Sequence, residues 1–235
     1  MSEGFSQAPA GNPDAVVGRR WTRRRVIATV ALALLGLAAS SQFAEDGAFS
    51  IDRTLMLMLR TPGDPADPLG PAWFEDVMRD MTALGGIGVV IGASLVLAGY
   101  LALRRRFVEI AVLAASVVGA ELVSGVIKHI VERPRPELVP YKAAIYSASF
   151  PSGHTLMATV MYITFAMLLA ADFERREREY LLAVAWMVSF AVGASRIYLG
   201  VHWPSDVLAG WCIGALWMLT MSRFLPRLRR KAVHS

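Results

Sequence analysis

Six stretches of this 235-residue chain are apolar and long enough to cross a lipid bilayer, and this pattern constrains the fold more than any other feature. A spanning α-helix needs about 20 mostly apolar residues, and no proline interrupts any of the six. They cover residues 25–43, 84–103, 107–130, 153–171, 180–199 and 206–224. Only 18% of the residues are charged, whereas a soluble domain has about a quarter. The apolar surplus therefore predicts an all-α bundle of six transmembrane helices.

The distribution of arginine and lysine predicts the orientation of this bundle. If the N-terminus lies in the cytoplasm, 16 of the 24 cations fall on the cytoplasmic side. These sixteen lie within residues 1–25, 104–106, 172–179 and 223–231. Because cytoplasmic loops carry the excess of positive charge, both termini are predicted to be cytoplasmic. Because the arginines cluster beside apolar runs, as they do in membrane proteins, the net charge of +5 does not indicate nucleic acid as a partner.

The apolar stretches also divide the chain into three parts. Residues 1–24 are polar and rich in arginine, which predicts a flexible cytoplasmic tail. Residues 25–224 form the predicted six-span domain, and residues 225–235 form a basic cytoplasmic tail. A signal peptide is the alternative for the first span, but its apolar core is longer than the usual ~7–15 residues.

An outer insert, residues 44–83, separates the first two spans. Residues 50–61 could form a short helix, and the proline-rich residues 62–68 read as turns. Between residues 73 and 84, apolar side chains recur at helical spacing with charged ones between them. That pattern is typical of a helix lying flat at the membrane interface. A helix that caps the bundle is the equal alternative.

Three cations lie near the outer ends of the later spans. Lys128 and Arg135 flank the end of span three, and Arg196 lies at the end of span five. Like charges at one membrane depth repel unless a multivalent anion lies between them, and phosphate fits best. Ser152 and Gly153 begin span four, where the first backbone N–H groups of a helix have no helical partner and can bind an anion. These five residues predict a phosphate site.

Two histidines and a carboxylate lie at the same depth. His202 and Asp206 are four residues apart, so one helical turn lets the carboxylate accept a hydrogen bond from one imidazole nitrogen. The other nitrogen is then free to attack phosphorus. His154 comes from another segment and can protonate the departing oxygen. This set predicts phosphoryl transfer through a phosphohistidine, with the cations stabilising the charge that a metal often stabilises.

Single members of this set have ordinary structural explanations. Lys128 could snorkel to the interface, and Arg196 could bind the last carbonyls of its helix. The conjunction of three segments is what favours chemistry. Glu121 lies on the Lys128 face and is interpreted as a hydrogen-bonded partner inside the bundle. For His129 and Arg133, contact with substrate and plain solvation are both open.

Three motifs carry a family resemblance over residues 128–206. They are Lys128-x6-Arg135-Pro136, Pro151-Ser152-Gly153-His154 and Ser195-Arg196-x5-His202-x3-Asp206. Together they resemble the signature of the type 2 phosphatidic acid phosphatase superfamily. That family includes bacterial phosphatidylglycerolphosphate and undecaprenyl-pyrophosphate phosphatases, lipid phosphate phosphatases and vanadium haloperoxidases.

The resemblance implies a metal-independent lipid phosphatase of the bacterial inner membrane, with its active site on the periplasmic side and no cofactor. It implies His202 as the nucleophile, Asp206 as the residue that orients it, and His154 as the general acid. It implies that the phosphate is bound by Lys128, Arg135, Ser152, Gly153 and Arg196.

The sequence leaves several alternatives open. The substrate could be a lipid monophosphate or diphosphate, and an acceptor hydroxyl could replace water, which would make the protein a phosphotransferase. An alternative from another functional class is a non-catalytic lipid-binding or transport protein. This alternative does not explain the intact pair of His154 and His202. A haloperoxidase fits poorly with a bundle that faces lipid. The oligomeric state is not predicted.

Overall fold

The structure is a computed structural model that describes residues 47–138, 148–170 and 173–233. Side chains are described for residues 51–138, 148–170 and 173–222. The predicted tail 1–24 and the first predicted span, 25–43, lie outside these ranges.

Within the described ranges the chain forms seven helices and one small hairpin. In chain order these are α1 (Gly47–Leu57), β1 (Arg60–Thr61), β2 (Asp64–Pro68), α2 (Ala72–Ala83), α3 (Ile87–Leu103), α4 (Phe107–Val131), α5 (Gly153–Leu169), α6 (Arg175–Tyr198) and α7 (Pro204–Val233). Helices α3 to α7 form at the last five predicted spans. Helix α7 continues to Val233, so the predicted boundary at residue 224 is not a helix end.

Three of the described helices are long and apolar enough to cross a membrane, namely Phe107–Val131, Arg175–Tyr198 and the Pro204–Ser222 part of α7. Helices α2 and α3 would together make a fourth span, broken by a bend of 51°. Helix α5 is apolar but has only 17 residues. The described part of the chain is thus a mostly helical membrane protein with three or four candidate spans.

Helix α5 is the centre of the bundle, because eleven of its 17 residues are buried. Helices α4, α6 and α7 pack around it. A helix that is apolar on all sides belongs inside such an assembly. Its hydroxyl groups are satisfied locally: Thr159 Oγ1 lies 2.6 Å from Ser189 Oγ of α6, and Thr164 Oγ1 donates to the carbonyl of Val160. Both of these buried threonine hydroxyls therefore carry hydrogen bonds, as buried polar groups usually do.

Close helix packing depends on glycines that face tryptophan rings. In α6, a Cβ atom at Gly193 would lie 2.7 Å from Cε2 of Trp211 and 2.8 Å from Cγ1 of Val207. In α4, a Cβ atom at Gly119 would meet the ring of Trp217. Small residues at such positions let membrane helices approach closely.

We expect Gly193→Ala to lower the free energy of unfolding by about 1–3 kcal/mol, because the added methyl group overpacks the interface between α6 and α7. Gly92→Ala in α3 is the matched control, since a Cβ atom there meets nothing within 4 Å. Denaturant unfolding in detergent micelles measures both variants. Equal stability of the two would contradict the packing argument.

The insert differs from its prediction in two places. The helix predicted over residues 50–61 ends at Leu57, and Arg60–Thr61 form a strand. Residues 62–68 do not form turns alone, because Asp64–Pro68 pairs with Arg60–Thr61 as an antiparallel hairpin. The prolines of Asp64–Pro68 are compatible with this pairing, because an edge strand does not use every backbone N–H as a hydrogen-bond donor. The predicted helix after it is present as α2, which is exposed or half-buried along its whole length.

The insert packs onto the outer end of α6. The ring of Phe74 lies edge-on to Tyr198, with centroids 5.1 Å apart. Arg60 is buried and donates to the carbonyl of Tyr198 at 2.7 Å. The Tyr198 hydroxyl donates to the carbonyl of Leu69 at 3.1 Å. Trp73 faces outward and is 65% exposed, so α2 covers the end of the bundle and also presents apolar surface.

Candidate active site

The turn after α4 brings two arginines over the end of the bundle. Glu132 adopts the left-handed conformation (φ 45°), and its N–H donates to the carbonyl of Lys128, which ends the helix. The extended residues that follow carry Arg133 and Arg135 back across the outer ends of α5 and α7. Helix α4 therefore supplies Lys128 from its last turn, and the segment after it supplies the guanidinium groups of Arg133 and Arg135.

Arg135 and Asp206 contact opposite sides of the His202 imidazole. Arg135 Nη1 lies 3.1 Å from His202 Nε2 and also donates to the carbonyl of Val201 at 3.0 Å. A guanidinium can only donate, so Nε2 must carry a lone pair and Nδ1 the proton. Nδ1 lies 3.4 Å from Asp206 Oδ2 and 3.3 Å from Ser149 Oγ. This tautomer leaves Nε2 as the nitrogen that carries the lone pair.

The Asp206 carboxylate is fully buried and accepts several hydrogen bonds. Oδ2 accepts from Ser149 Oγ at 2.5 Å and from the backbone N–H of Trp203 at 2.9 Å. Oδ1 accepts from Arg133 Nη1 at 2.5 Å. Hydrogen bonds to a charged group are among the stronger ones in proteins. The carboxylate is thus fixed by two residues of the connection between α4 and α5 besides its own turn.

His154 lies among the same cations as His202. The positive charges of Arg196, Lys128 and Arg135 act on its imidazole, and those of Arg196 and Arg135 also act on His202. On the insert side, a Cβ atom at Gly86 would lie 3.8 Å from His154 Nε2. The turn between α2 and α3 therefore forms the wall beside this histidine.

The remaining predicted phosphate ligands are also close together. Lys128 Nζ would lie 3.5 Å from a Cβ atom on Gly153, so the ammonium group faces the start of α5. Arg196 is buried at the end of α6, and its Nη1 donates to Thr82 Oγ1 of the insert at 2.8 Å. The structure thus brings Lys128 of α4, Arg196 of α6 and Arg135 of the segment after α4 close to the two imidazoles.

Ser152 contributes differently from what the start of a helix predicts. Its backbone N–H donates to the carbonyl of Asp206 at 3.0 Å, so this N–H is not the open anion donor that was expected. Its hydroxyl accepts from Thr155 Oγ1 at 2.9 Å and keeps its own hydrogen as a donor. Ser152 is completely buried. It ties the first turn of α5 to the first turn of α7.

Three neighbouring residues complete the comparison with the sequence. Glu121 is exposed on α4, so its interpretation as a partner inside the bundle is wrong. The His129 side chain is 89% exposed. Arg133, by contrast, is buried in two ion pairs, one of them with Asp52 of α1. These two residues are 81 positions apart and share no motif spacing, so nothing in the sequence pairs them.

Burial is the main reason that the pKa of His202 falls to about 4, below its ordinary value of 6.5. The positive charges of Arg196 and Arg135 lower the pKa further, and the hydrogen bond to Asp206 acts in the opposite direction. His202 is therefore neutral at neutral pH.

Within the described ranges no three His, Cys, Asp or Glu side chains are grouped as a metal site would require.

Comparison with known proteins agrees with this geometry. The family model of the PAP2 superfamily matches residues 109–230. Phosphatidylglycerophosphatase B from Bacillus subtilis is 31% identical over 161 residues, which is 67% of this chain and 78% of the relative. The chain belongs to the PAP2 superfamily. The resemblance of its three motifs to type 2 phosphatidic acid phosphatases is thereby confirmed.

Two further relatives extend the match. A lipid A 1-phosphatase from Rhizobium etli is 27% identical and covers 63% of this PAP2 chain and 70% of its own length. The crystal structure of a transmembrane PAP2-type phosphatidylglycerolphosphate phosphatase from Bacillus subtilis superposes with a TM-score of 0.75 and 25% identity, covering 83% of this chain and 94% of that one. This protein is a bacterial membrane enzyme of the PAP2 lipid phosphatase class.

We expect Thr82→Val to weaken binding of orthovanadate to this PAP2 phosphatase by about 3- to 10-fold, since Arg196 loses a hydrogen bond that aims it into the pocket. Isothermal titration calorimetry in detergent measures the affinity. Thr61→Val is the matched control, because Thr61 bonds only to exposed Asp67 on the same insert. Equal affinity of both variants would show that Thr82 does not position Arg196.

Proposed function

We propose that this protein is an integral membrane phosphatase that hydrolyses a phosphate monoester or diphosphate of a lipid, through a phosphohistidine on His202 and without a metal ion. One observation carries the proposal: His202 Nε2 faces the guanidinium of Arg135, while Nδ1 faces the Asp206 carboxylate. A nucleophilic nitrogen and a cation that attracts phosphate thus meet at one point.

In the first step the phosphoryl group replaces His202 Nε2 as the partner of Arg135. Lys128, Arg196 and the Ser152 hydroxyl bind its other oxygens. Nε2 attacks phosphorus in line with the lipid oxygen, so a P–N bond forms as the P–O bond to the lipid breaks. The positive charge that develops on the imidazole is stabilised by Asp206.

His154 supplies the proton that the departing lipid oxygen needs. In the empty pocket the surrounding cations oppose a charge on this imidazole, whereas a bound phosphate dianion offsets them and favours it. In the second step neutral His154 takes a proton from water, whose oxygen attacks phosphorus. The P–N bond breaks, inorganic phosphate leaves, and both histidines return to their starting states.

The arrangement in the membrane is part of the proposal. Residues 25–224 form six spans, with residues 1–24 and 225–235 as cytoplasmic tails and the pocket on the periplasmic side of the inner membrane. The excess of cations on the other side supports this orientation. The exposed Trp73 and Val77 of α2 support an interfacial position for the insert. A phosphate pocket at this level meets the headgroup of a lipid whose tails stay in the bilayer.

The proposed substrate is defined as a class, the lipid phosphates. The named activities of the relatives concern different lipid phosphates, and the pocket recognises the phosphoryl group that such lipids share. A phosphotransferase would use the same phosphohistidine but would release little phosphate without an acceptor alcohol. Phosphate release from a panel of purified lipid monophosphates and diphosphates in detergent separates these possibilities. A non-catalytic lipid-binding protein would release none.

We expect His202→Ala to lower kcat by about four orders of magnitude or more, since it removes the nucleophile. The assay measures phosphate release in detergent with excess EDTA, because the proposed chemistry uses no metal. His129→Ala is the matched control, since its side chain is exposed and lies outside the pocket. A variant at His202 that retains hydrolysis, or a wild-type rate that needs a divalent cation, would contradict the mechanism.

The pKa of His202 predicts the acidic side of the pH profile. Protonation of Nε2 removes the lone pair, so kcat/KM should fall about tenfold per pH unit only below about pH 4. The substrate phosphate also changes its protonation state with pH. Phosphorus NMR measures this titration, and the rates are corrected for it. Activity regained on return to pH 7 excludes unfolding as the cause. An enzyme-derived fall that begins near pH 6.5 would mean that His202 is not buried and neutral in the free enzyme.

A further inference from the structure

Asp52 of the outer insert is buried against the catalytic end of the bundle. Its side chain is 7% exposed, and both carboxylate oxygens accept hydrogen bonds. Oδ1 accepts from the backbone N–H of Ser205 at 3.0 Å. Oδ2 accepts from Ser205 Oγ at 2.5 Å and from Arg133 Nη2 at 2.8 Å. Helix α1 is thus fixed to the first turn of α7, one residue before Asp206.

Arg133 lies between the two carboxylates. Its Nη1 donates to Asp206 Oδ1 at 2.5 Å and to Ser205 Oγ at 2.8 Å, while Nη2 donates to Asp52. Its guanidinium carbon lies 5.5 Å from the centre of the Trp203 ring. The planar fork of arginine suits this bridging position, and lysine could not reproduce it.

The charges of this cluster explain why both acidic residues are needed. Arg133 carries one positive charge between two negative ones, which leaves one net negative charge on the Nδ1 side of the His202 imidazole. That surplus matches the positive charge that the imidazole gains when its Nε2 bonds to phosphorus. Without Asp52, Arg133 would fully neutralise Asp206. Without Arg133, two buried carboxylates would repel each other around Ser205.

We propose that Arg133 and Asp52 are positioning residues for the nucleophile. Arg133 holds Oδ1 of Asp206 so that Oδ2 points at His202 Nδ1, and Asp52 holds Arg133. Neither side chain touches the phosphoryl group. The inference rests on the proposed role of His202 as the nucleophile, and it gives the insert a function in catalysis.

A double-mutant cycle tests the coupling. We expect Arg133→Gln to lower kcat by about a hundredfold while KM and the orthovanadate affinity stay within about threefold, because Lys128, Arg135 and Arg196 are unchanged. Combined with Asp206→Asn, Arg133→Gln should cost little more than the slower single variant. Two residues that act through one path are not additive.

Asp52→Asn provides the second arm of the test. We expect kcat to fall about tenfold in the wild-type background and to change little in the Arg133→Gln background, since Asp52 acts through Arg133. If Arg133→Gln does not fold, the cycle of Asp52→Asn with Asp206→Asn replaces it, because asparagine keeps the shape of the side chain. Arg79→Gln and Asp76→Asn are matched controls at exposed positions of the same insert and should keep kcat within about twofold.

The outcomes separate the two proposals. Multiplicative losses in the cycle, or a vanadate affinity that falls in step with kcat, would mean that Arg133 and Asp52 serve only the stability of the fold, and the inference would be overturned. Hydrolysis that persists in His202→Ala would overturn the proposed function itself. Loss in His202→Ala together with a non-additive cycle supports both.

Discussion

The buried carboxylate of Asp206 is the group on which the half of this protein that holds the candidate site depends. It accepts hydrogen bonds from Ser149, Trp203 and Arg133 and lies within reach of His202. Its backbone carbonyl accepts the N–H of Ser152. A buried charge is tolerated only when such partners surround it. Because Arg133 and Ser149 come from the connection between α4 and α5 and Trp203 from the turn before α7, the same contacts that satisfy this charge hold the segments of the candidate site together.

The rest of the site follows from where the helices end. Lys128, Arg196 and His154 lie on three different helices, and their side chains meet because the outer ends of α4 and α6 lie beside the start of α5. Central α5 is almost wholly buried, so its first turn has a fixed position. The cations of the pocket repel one another without an anion between them. An anion between them would relieve this repulsion, and the proposed function assigns that role to the phosphoryl group of the substrate.

Much of this arrangement could be predicted from the sequence. Apolar stretches located α3 to α7 because membrane helices need length and hydropathy, both local properties. The three motifs indicated the family, because the spacing within each motif is also local. The Asp52–Arg133 ion pair could not be predicted, since its partners are 81 residues apart and neither lies at a motif position. The β1–β2 hairpin was missed because prolines in residues 62–68 indicate turns and hide the short pairing. Ser149 lies outside the motifs and carries no signal of its own.

The burial of Asp52 also fixes the position of α1. If α1 were to move away from the bundle, it would leave a carboxylate, a guanidinium and a hydroxyl in the interior without their hydrogen bonds, and each such loss costs about 1–3 kcal/mol or more. One carboxylate therefore anchors a helix of the insert to the end of the bundle that holds the candidate site.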